Sequence, residues 1–126
     1  MSGVVGVGTD LVEVERLRSA LDRQPTLMSR LFTTEERDYA ARHVDPLPHL
    51  AARFAAKEAA MKALGCGFTT VRFDEIGVVR GHDGAPALVL SGRARVRAEV
   101  LGVGGWHVSL SHTASMASAV VVAQTA

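Results

Sequence analysis

The sequence predicts an α+β domain in which a mostly antiparallel sheet wraps a long central helix, and three stretches carry that expectation. Leu50 to Gly67, LAARFAAKEAAMKALGCG, is built from strong helix formers, meets no β-branched residue before Thr69, and ends in Gly65 and Gly67. From Val71 to Leu90 the pattern turns β-like around a Gly81-His82-Asp83-Gly84 turn. The closing stretch, WHVSLSHTASMASAVVVA, reads as two strands separated by a polar connection.

A chain of 126 residues is expected to be a single domain, residues 1–126, with a real but modest core. Lys and Arg number 14 against 13 Asp and Glu, so bulk charge gives no warrant for a nucleic-acid binder, and any anion site must be local. Cys66 is the only cysteine, which excludes an intrachain disulfide and a multi-cysteine metal site and fits a reducing cytoplasm. After a helix-ending glycine it reads as a packing residue. The start, MSGVVGVGTD, lacks the pattern of a signal peptide, and the apolar run Met116 to Ala123 is too short to span a bilayer, so no membrane association is expected.

Taken in order, Val4 to Val7 form a short buried strand ending at Gly8-Thr9-Asp10. A helix follows with Leu11, Val14, Leu17 and Leu21 on one face. Asp10 admits two readings: a cap, since Asp10 and Glu13 have capping-box spacing, or a carboxylate at a strand end pointing into a ligand cleft. Gly6 and Gly8 let a backbone or a ligand approach closely, but GVGTD lacks the third glycine of a nucleotide fingerprint. Arg16 and Arg23 nearly superimpose on the exposed side, with Arg18 further round; they are solvated surface or a docking strip for an acidic partner.

A short helical piece, Thr26 to Phe32, precedes a second helix that opens at Thr33-Thr34-Glu35-Glu36-Arg37 and runs to about His43. Pro46-Leu-Pro48 breaks the chain before the central helix. On that helix Leu50, Phe54, Met61 and Leu64 form one stripe and alanines cover the rest, so no side is a solvated face. Lys57 falls within the stripe and Glu58 at its edge. Either Lys57 snorkels and Glu58 pairs with Lys62, or Arg53, Lys57, Glu58 and Lys62 face a wet cleft suited to a phosphate and its metal ion. The second reading requires another carboxylate from elsewhere.

Beyond Gly67, Val71 to Phe73 and Ile76 to Val79 lead through the turn to a strand at Ala87 to Leu90, forming a hairpin. Ser91 caps a helix from Gly92 to about Leu101, on which Arg93, Arg95 and Arg97 spread around the surface and read as solubilising. Trp106, Val108 and Leu110 then alternate with His107, Ser109 and Ser111 in a half-buried strand. The last strand, Ala117 to Ala123, is apolar on both faces and is expected to be central or at a subunit interface. Ser111-His112-Thr113 gathers hydroxyls and an imidazole at the strand junction without a matching acid, so no catalytic triad follows from it.

GVGTDL with Asp10, RFAAKEAAMKALG with Glu58, and HVSLSHT with His112, in this order and at these separations, resemble the holo-acyl-carrier-protein synthase family of 4′-phosphopantetheinyl transferases over nearly the whole chain. The resemblance implies that family's fold and supplies the missing carboxylate: Asp10 and Glu58 would bind a Mg²⁺ that also holds the pyrophosphate of coenzyme A. A serine of apo acyl carrier protein would attack the β-phosphate, phosphopantetheine would pass to it, and 3′,5′-ADP would leave, in fatty-acid or polyketide biosynthesis. Asp10, Glu58, Lys62 and His112 are then the candidate catalytic residues. Arg53, Lys57, Lys62, Gly65, Ser111 and His112 are the candidates for coenzyme A. For the serine proton, a metal-bound water with Glu58 as relay ranks ahead of His112.

Carrier proteins are acidic, so Arg16 and Arg23 become candidates for docking them. The mixed charges of Glu35 to Asp45 leave a broad basic surface unseen. Similar small synthases are homotrimers with sites between subunits. The rival readings are a non-catalytic binding module and a different Mg²⁺-dependent nucleotide enzyme such as a pyrophosphatase.

Overall fold

The computed structural model describes residues 3–126. The elements run β1 (Val4–Glu13), α1 (Val14–Arg23), α2 (Leu27–Leu31), α3 (Thr34–Ala41), α4 (Leu47–Ala63), a 3-10 turn at Phe73–Glu75, β2 (Ile76–Arg80), β3 (Pro86–Leu90), α5 (Gly92–Val100), β4 (Val103–His112) and β5 (Met116–Thr125). All strand pairs are antiparallel. They form two hydrogen-bonded sheets, β1-β5-β4 and the β2-β3 hairpin, packed around α4. The strand predicted to be apolar on both faces is the central one: Ala117, Ala119, Val121 and Ala123 of β5 are buried, while Val120 on the opposite face is 44% exposed.

The alanines of α4 explain how closely helix and sheet approach. Ala51, Ala52, Ala55, Ala56, Ala59, Ala60 and Ala63 are all buried. β1 answers with Gly6 and Gly8, where an added Cβ would run into the carbonyl oxygens of Ala63 and Ala59. These glycines therefore serve a backbone approach and not a nucleotide. The helix starts inside the Pro46-Leu-Pro48 segment instead of after it, because proline is tolerated in a first turn whose N–H groups have no helical partner. It stops as predicted: Gly65 adopts φ +65. The N–H groups of Gly65 and Cys66 then return to the Lys62 and Met61 carbonyls at 3.0 and 2.9 Å. Burial pushes the Cys66 thiol up, consistent with packing rather than nucleophilic use.

The expected junction after the first strand is corrected. β1 does not end at Gly8-Thr9-Asp10 but pairs with β5 as far as Glu13, and Asp10 lies opposite Ala119. Asp10 caps no helix; α1 begins at Val14. Leu11 leaves the predicted helix face and is 65% exposed on the outer side of the sheet, while Val14, Leu17 and Leu21 are buried as expected. α3 carries a complete capping box: the Thr33 hydroxyl accepts the Glu36 N–H at 3.2 Å and Glu36 accepts the Thr33 N–H at 2.8 Å.

Candidate active site

Extension of β1 puts Asp10 on the strand face that meets α4, where Glu58 and Lys62 stand on successive turns. Lys62 Nζ donates to the Thr9 carbonyl at 2.8 Å and to Asp10 Oδ1 at 3.3 Å. The Asp10 side chain is 18% exposed and that of Lys62 55%. Burial pushes the Glu58 carboxyl up, nearby Asp10 pushes it further, and Lys62 opposes both. Asp10 and Glu58 open into a cleft of about 560 Å³ walled by Leu17, Leu27, Leu31, Phe54, Phe73 and Met116 and rimmed by Arg16.

Two carboxylates on one cleft, with Glu58 accepting no hydrogen bond among the described residues, suit a hard cation with oxygen ligands. Among those residues no cluster of three or more His, Cys, Asp or Glu side chains could hold a metal ion by itself. The donor set therefore fits Mg²⁺, which takes one or two carboxylates and completes its shell with substrate phosphates and water.

Lys57, adjacent to Glu58 in sequence, points the other way. Its side chain and that of Glu36 are both 0% exposed and form an ion pair at 2.8 Å. The remaining Lys57 donors go to the carbonyls of Phe73 and Ile76 at 2.9 and 2.6 Å. Burial draws the Lys57 ammonium down from its usual range and Glu36 opposes that shift. The expectation that Lys57 contacts coenzyme A is corrected: its donors are all used within the core. A buried lysine calls for a buried acid, but Glu36 read as a helix cap, and it is both.

Arg53 and His112 lie in a second cavity, of about 300 Å³, with Tyr39, His49 and Arg80. The Arg53 guanidinium sits 4.3 Å from the Tyr39 ring centroid and donates to the His49 carbonyl at 3.3 Å. His43 and His49 stack at 3.6 Å, and the His49 and His112 rings meet edge to face at 5.0 Å. Burial draws the His49 imidazole down, with His43, His112 and Arg53 adding to it. His112 ends β4, and β5 separates that strand from β1 and Asp10. Within one chain the histidine and the carboxylates are thus apart. Ser111 points to the opposite face from His112 by strand alternation. Gly65 is the left-handed residue that follows the Leu64 cap of α4, and its carbonyl accepts from Arg97 at 3.2 Å.

Arg16 and Arg23 are exposed on α1 with no ion pair among the described residues, whereas Arg18 is held by Glu15 at 3.2 Å and Asp45 at 2.8 Å. Among these residues no helix is long and apolar enough to cross a membrane. Sequence reasoning missed Tyr39, on which Arg53 packs, and the Phe54 and Phe73 walls of the carboxylate cleft. Only Phe54 carried a signal, as an apolar neighbour of Glu58 on the helix.

Residues 6–117 match the family model described as the 4′-phosphopantetheinyl transferase superfamily. A holo-[acyl-carrier-protein] synthase of Beutenbergia cavernae is 50% identical over 121 residues, covering 96% of this chain and 98% of its own. The crystal structure of a holo-(acyl-carrier-protein) synthase from Bacillus anthracis in complex with CoA (3′,5′-ADP) superposes with a TM-score of 0.80 at 33% identity, covering 98% of each chain. The Helicobacter pylori holo-[acyl-carrier-protein] synthase in complex with coenzyme A gives 0.81 at 28% identity, covering 93% of this chain and 98% of that one. With a family match over most of its length and a close relative along nearly all of it, the chain belongs to the 4′-phosphopantetheinyl transferase superfamily.

Proposed function

We propose that this protein transfers the 4′-phosphopantetheine group of coenzyme A to a serine of apo acyl carrier protein, giving holo carrier and 3′,5′-ADP. The observation that carries the reading is the meeting of Asp10, Glu58 and Lys62 at a cleft rimmed by Arg16. In the reaction the serine oxygen attacks the β-phosphorus of coenzyme A. The bond from that phosphorus to the oxygen bridging the two phosphates breaks, and the serine proton passes to a base.

Asp10 and Glu58 would hold Mg²⁺, which when bound would neutralise charge on the pyrophosphate. Glu58, which opens into the cleft beside Asp10, is the group of this chain placed to take the serine proton. Lys62, half-exposed beside Asp10, brings a cation toward the leaving phosphate. The apolar walls of the cleft limit water and so favour the serine over hydrolysis. Arg16 and Arg23 attract the acidic carrier.

Arg53 and His112 serve coenzyme A from the second cavity, where a guanidinium and an imidazole suit its phosphates. A homotrimer with sites between subunits would bring that cavity of one chain to the carboxylates of another. The apolar outer face of the three-stranded sheet supports such an assembly, with Val7, Leu11 and Val120 at 54%, 65% and 44% exposure. The activity is assigned to the cytoplasm, serving fatty-acid or polyketide synthesis.

Chromatography of the nucleotide products tests the reading. The expected result is 3′,5′-ADP formed from coenzyme A only when apo carrier is present. Equal release without carrier would point to a hydrolase, and no release with any apo carrier would overturn the proposal.

A further inference from the structure

The three arginines of α5 read in sequence as solubilising, but the structure gives each a different setting. Arg95 pairs with Glu99 at 3.1 Å on the solvent side. Arg97 turns inward and donates to the carbonyls of Leu64 and Gly65, at the end of α4, at 2.8 and 3.2 Å. The Arg93 side chain makes no ion pair or hydrogen bond among the described residues; only its backbone N–H is engaged, by Glu75 at 2.7 Å. Arg93, Val96, Val100 and Leu101 recur at three- and four-residue spacing and so share one face of α5 and its cap. On that face Val96, Val100 and Leu101 stand 58%, 81% and 39% exposed. They line a groove of about 600 Å³ together with Arg93, Arg97, Thr70 and Glu75. It shares no residue with the carboxylate cleft or with the Arg53–His112 cavity.

The groove is held open by fixed elements. Glu75 is the only acid that lines it, and its two oxygens accept the Arg72 and Arg93 N–H groups, each at 2.7 Å. That carboxylate is therefore directed at the start of α5, where the positive end of the helix dipole offsets its charge. Arg97 holds the middle of the helix against the end of α4. Apolar walls, a few placed polar groups and a rigid frame are the make-up of a small-molecule site, and the volume is in the usual range.

From this geometry we infer that the α5 groove binds an alkyl carboxylate, a fatty-acid type of ligand whose head pairs with Arg93 and whose chain lies along Val96, Val100 and Leu101. A single free guanidinium matches a single carboxylate, whose two oxygens can take two parallel N–H bonds. From position 93 to position 101 the helix advances about 12 Å, so the apolar floor is a strip that suits an extended chain. The Thr70 hydroxyl, which makes no hydrogen bond among the described residues, supplies a second donor in the same groove. Covering the three apolar side chains supplies the driving force, and the arginine sets which end of the chain is held.

The test is a titration of decanoate into the isotope-labelled protein, followed through its amide chemical shifts, with butyrate and decanol as controls for the head and the chain alone. The expected result is a saturable set of shifts confined to Thr70, Glu75 and residues 92–101. Arg93→Gln should weaken binding about fivefold or more, and Val96→Ser/Val100→Ser about tenfold or more. Arg95→Gln, outside the groove, should match the parent, and thermal melts equal to the parent's report that the variants fold. No saturable shifts, shifts centred on the carboxylate cleft, or affinity unchanged in either groove variant would overturn the inference. So would butyrate or decanol binding as tightly as decanoate. Shifts at the same residues on raising the protein concentration alone would show that the groove takes a second copy of the chain, and would overturn it as well. Neither coenzyme A nor carrier protein is present, so the outcome is independent of the transferase reading.

Discussion

Replacing Lys57 with methionine tests the division of labour within α4, because Lys57→Met keeps the volume of a fully buried side chain while deleting its charge. Glu36 would remain in the core, accepting only the Thr33 and Val78 N–H groups at 2.8 and 2.7 Å. Removing one partner of a buried ion pair costs about 3–5 kcal/mol. The abandoned Phe73 and Ile76 carbonyls put the cost toward the upper end. Against a domain stability of about 5–15 kcal/mol, that is a third or more of the total. It corresponds to a fall in Tm of about 10–20 °C for a chain of this size. Urea titration followed by circular dichroism, at fixed protomer concentration, measures the loss. Adding Glu36→Gln should recover only part of it, since Glu36 uses both oxygens as acceptors and glutamine offers one. A loss under about 1 kcal/mol at unchanged m-value would refute the reasoning. So would a rise in KM for coenzyme A with stability intact, which would return Lys57 to the ligand.

Asp10→Asn and Glu58→Gln should each lower transfer by at least about a thousandfold. Glu58→Gln should leave Tm unchanged or raised, since it relieves the conflict with Asp10; near-normal Mg²⁺-dependent turnover in either variant would remove the site assignment. Gly8→Ala should cost about 3 kcal/mol or more, because its Cβ meets the backbone oxygen of Ala59 and no flexible side chain can yield; a thermal melt matching the parent would show that α4 can shift. The His49 imidazole is drawn below its ordinary value, so as pH falls through about 6.5 the unfolded chain takes up a proton that the folded one resists. Stability should therefore decline below that pH, and His49→Gln should flatten the decline; an equal slope in both proteins would assign it to other groups.

The central helix, the hairpin and the closing strands were legible from local signals: strong helix formers ended by Gly65, the Gly81–Gly84 turn, and the alternation from Trp106 to Leu110. The β1–α1 junction was not. Asp10 and Glu13 imitate a capping box, and only pairing with β5, Asp10 opposite Ala119, holds the segment extended. That pairing carries Asp10 to the face of α4, so the residue identified correctly as a site candidate arrives there by a different route. Lys57 and Glu58 show a second limit. Adjacent positions on a helix diverge by about a quarter turn, enough to send one side chain to the core and the other to the cleft, and the acid that decides between them is far away at Glu36.

The central claim is tested most directly by intact-protein mass spectrometry of apo acyl carrier protein incubated with this protein, coenzyme A and Mg²⁺, with EDTA and Asp10→Asn controls. The expected result is a mass gain equal to one phosphopantetheine, absent in both controls. An unmodified carrier in the presence of folded protein, across several apo carriers, would contradict it.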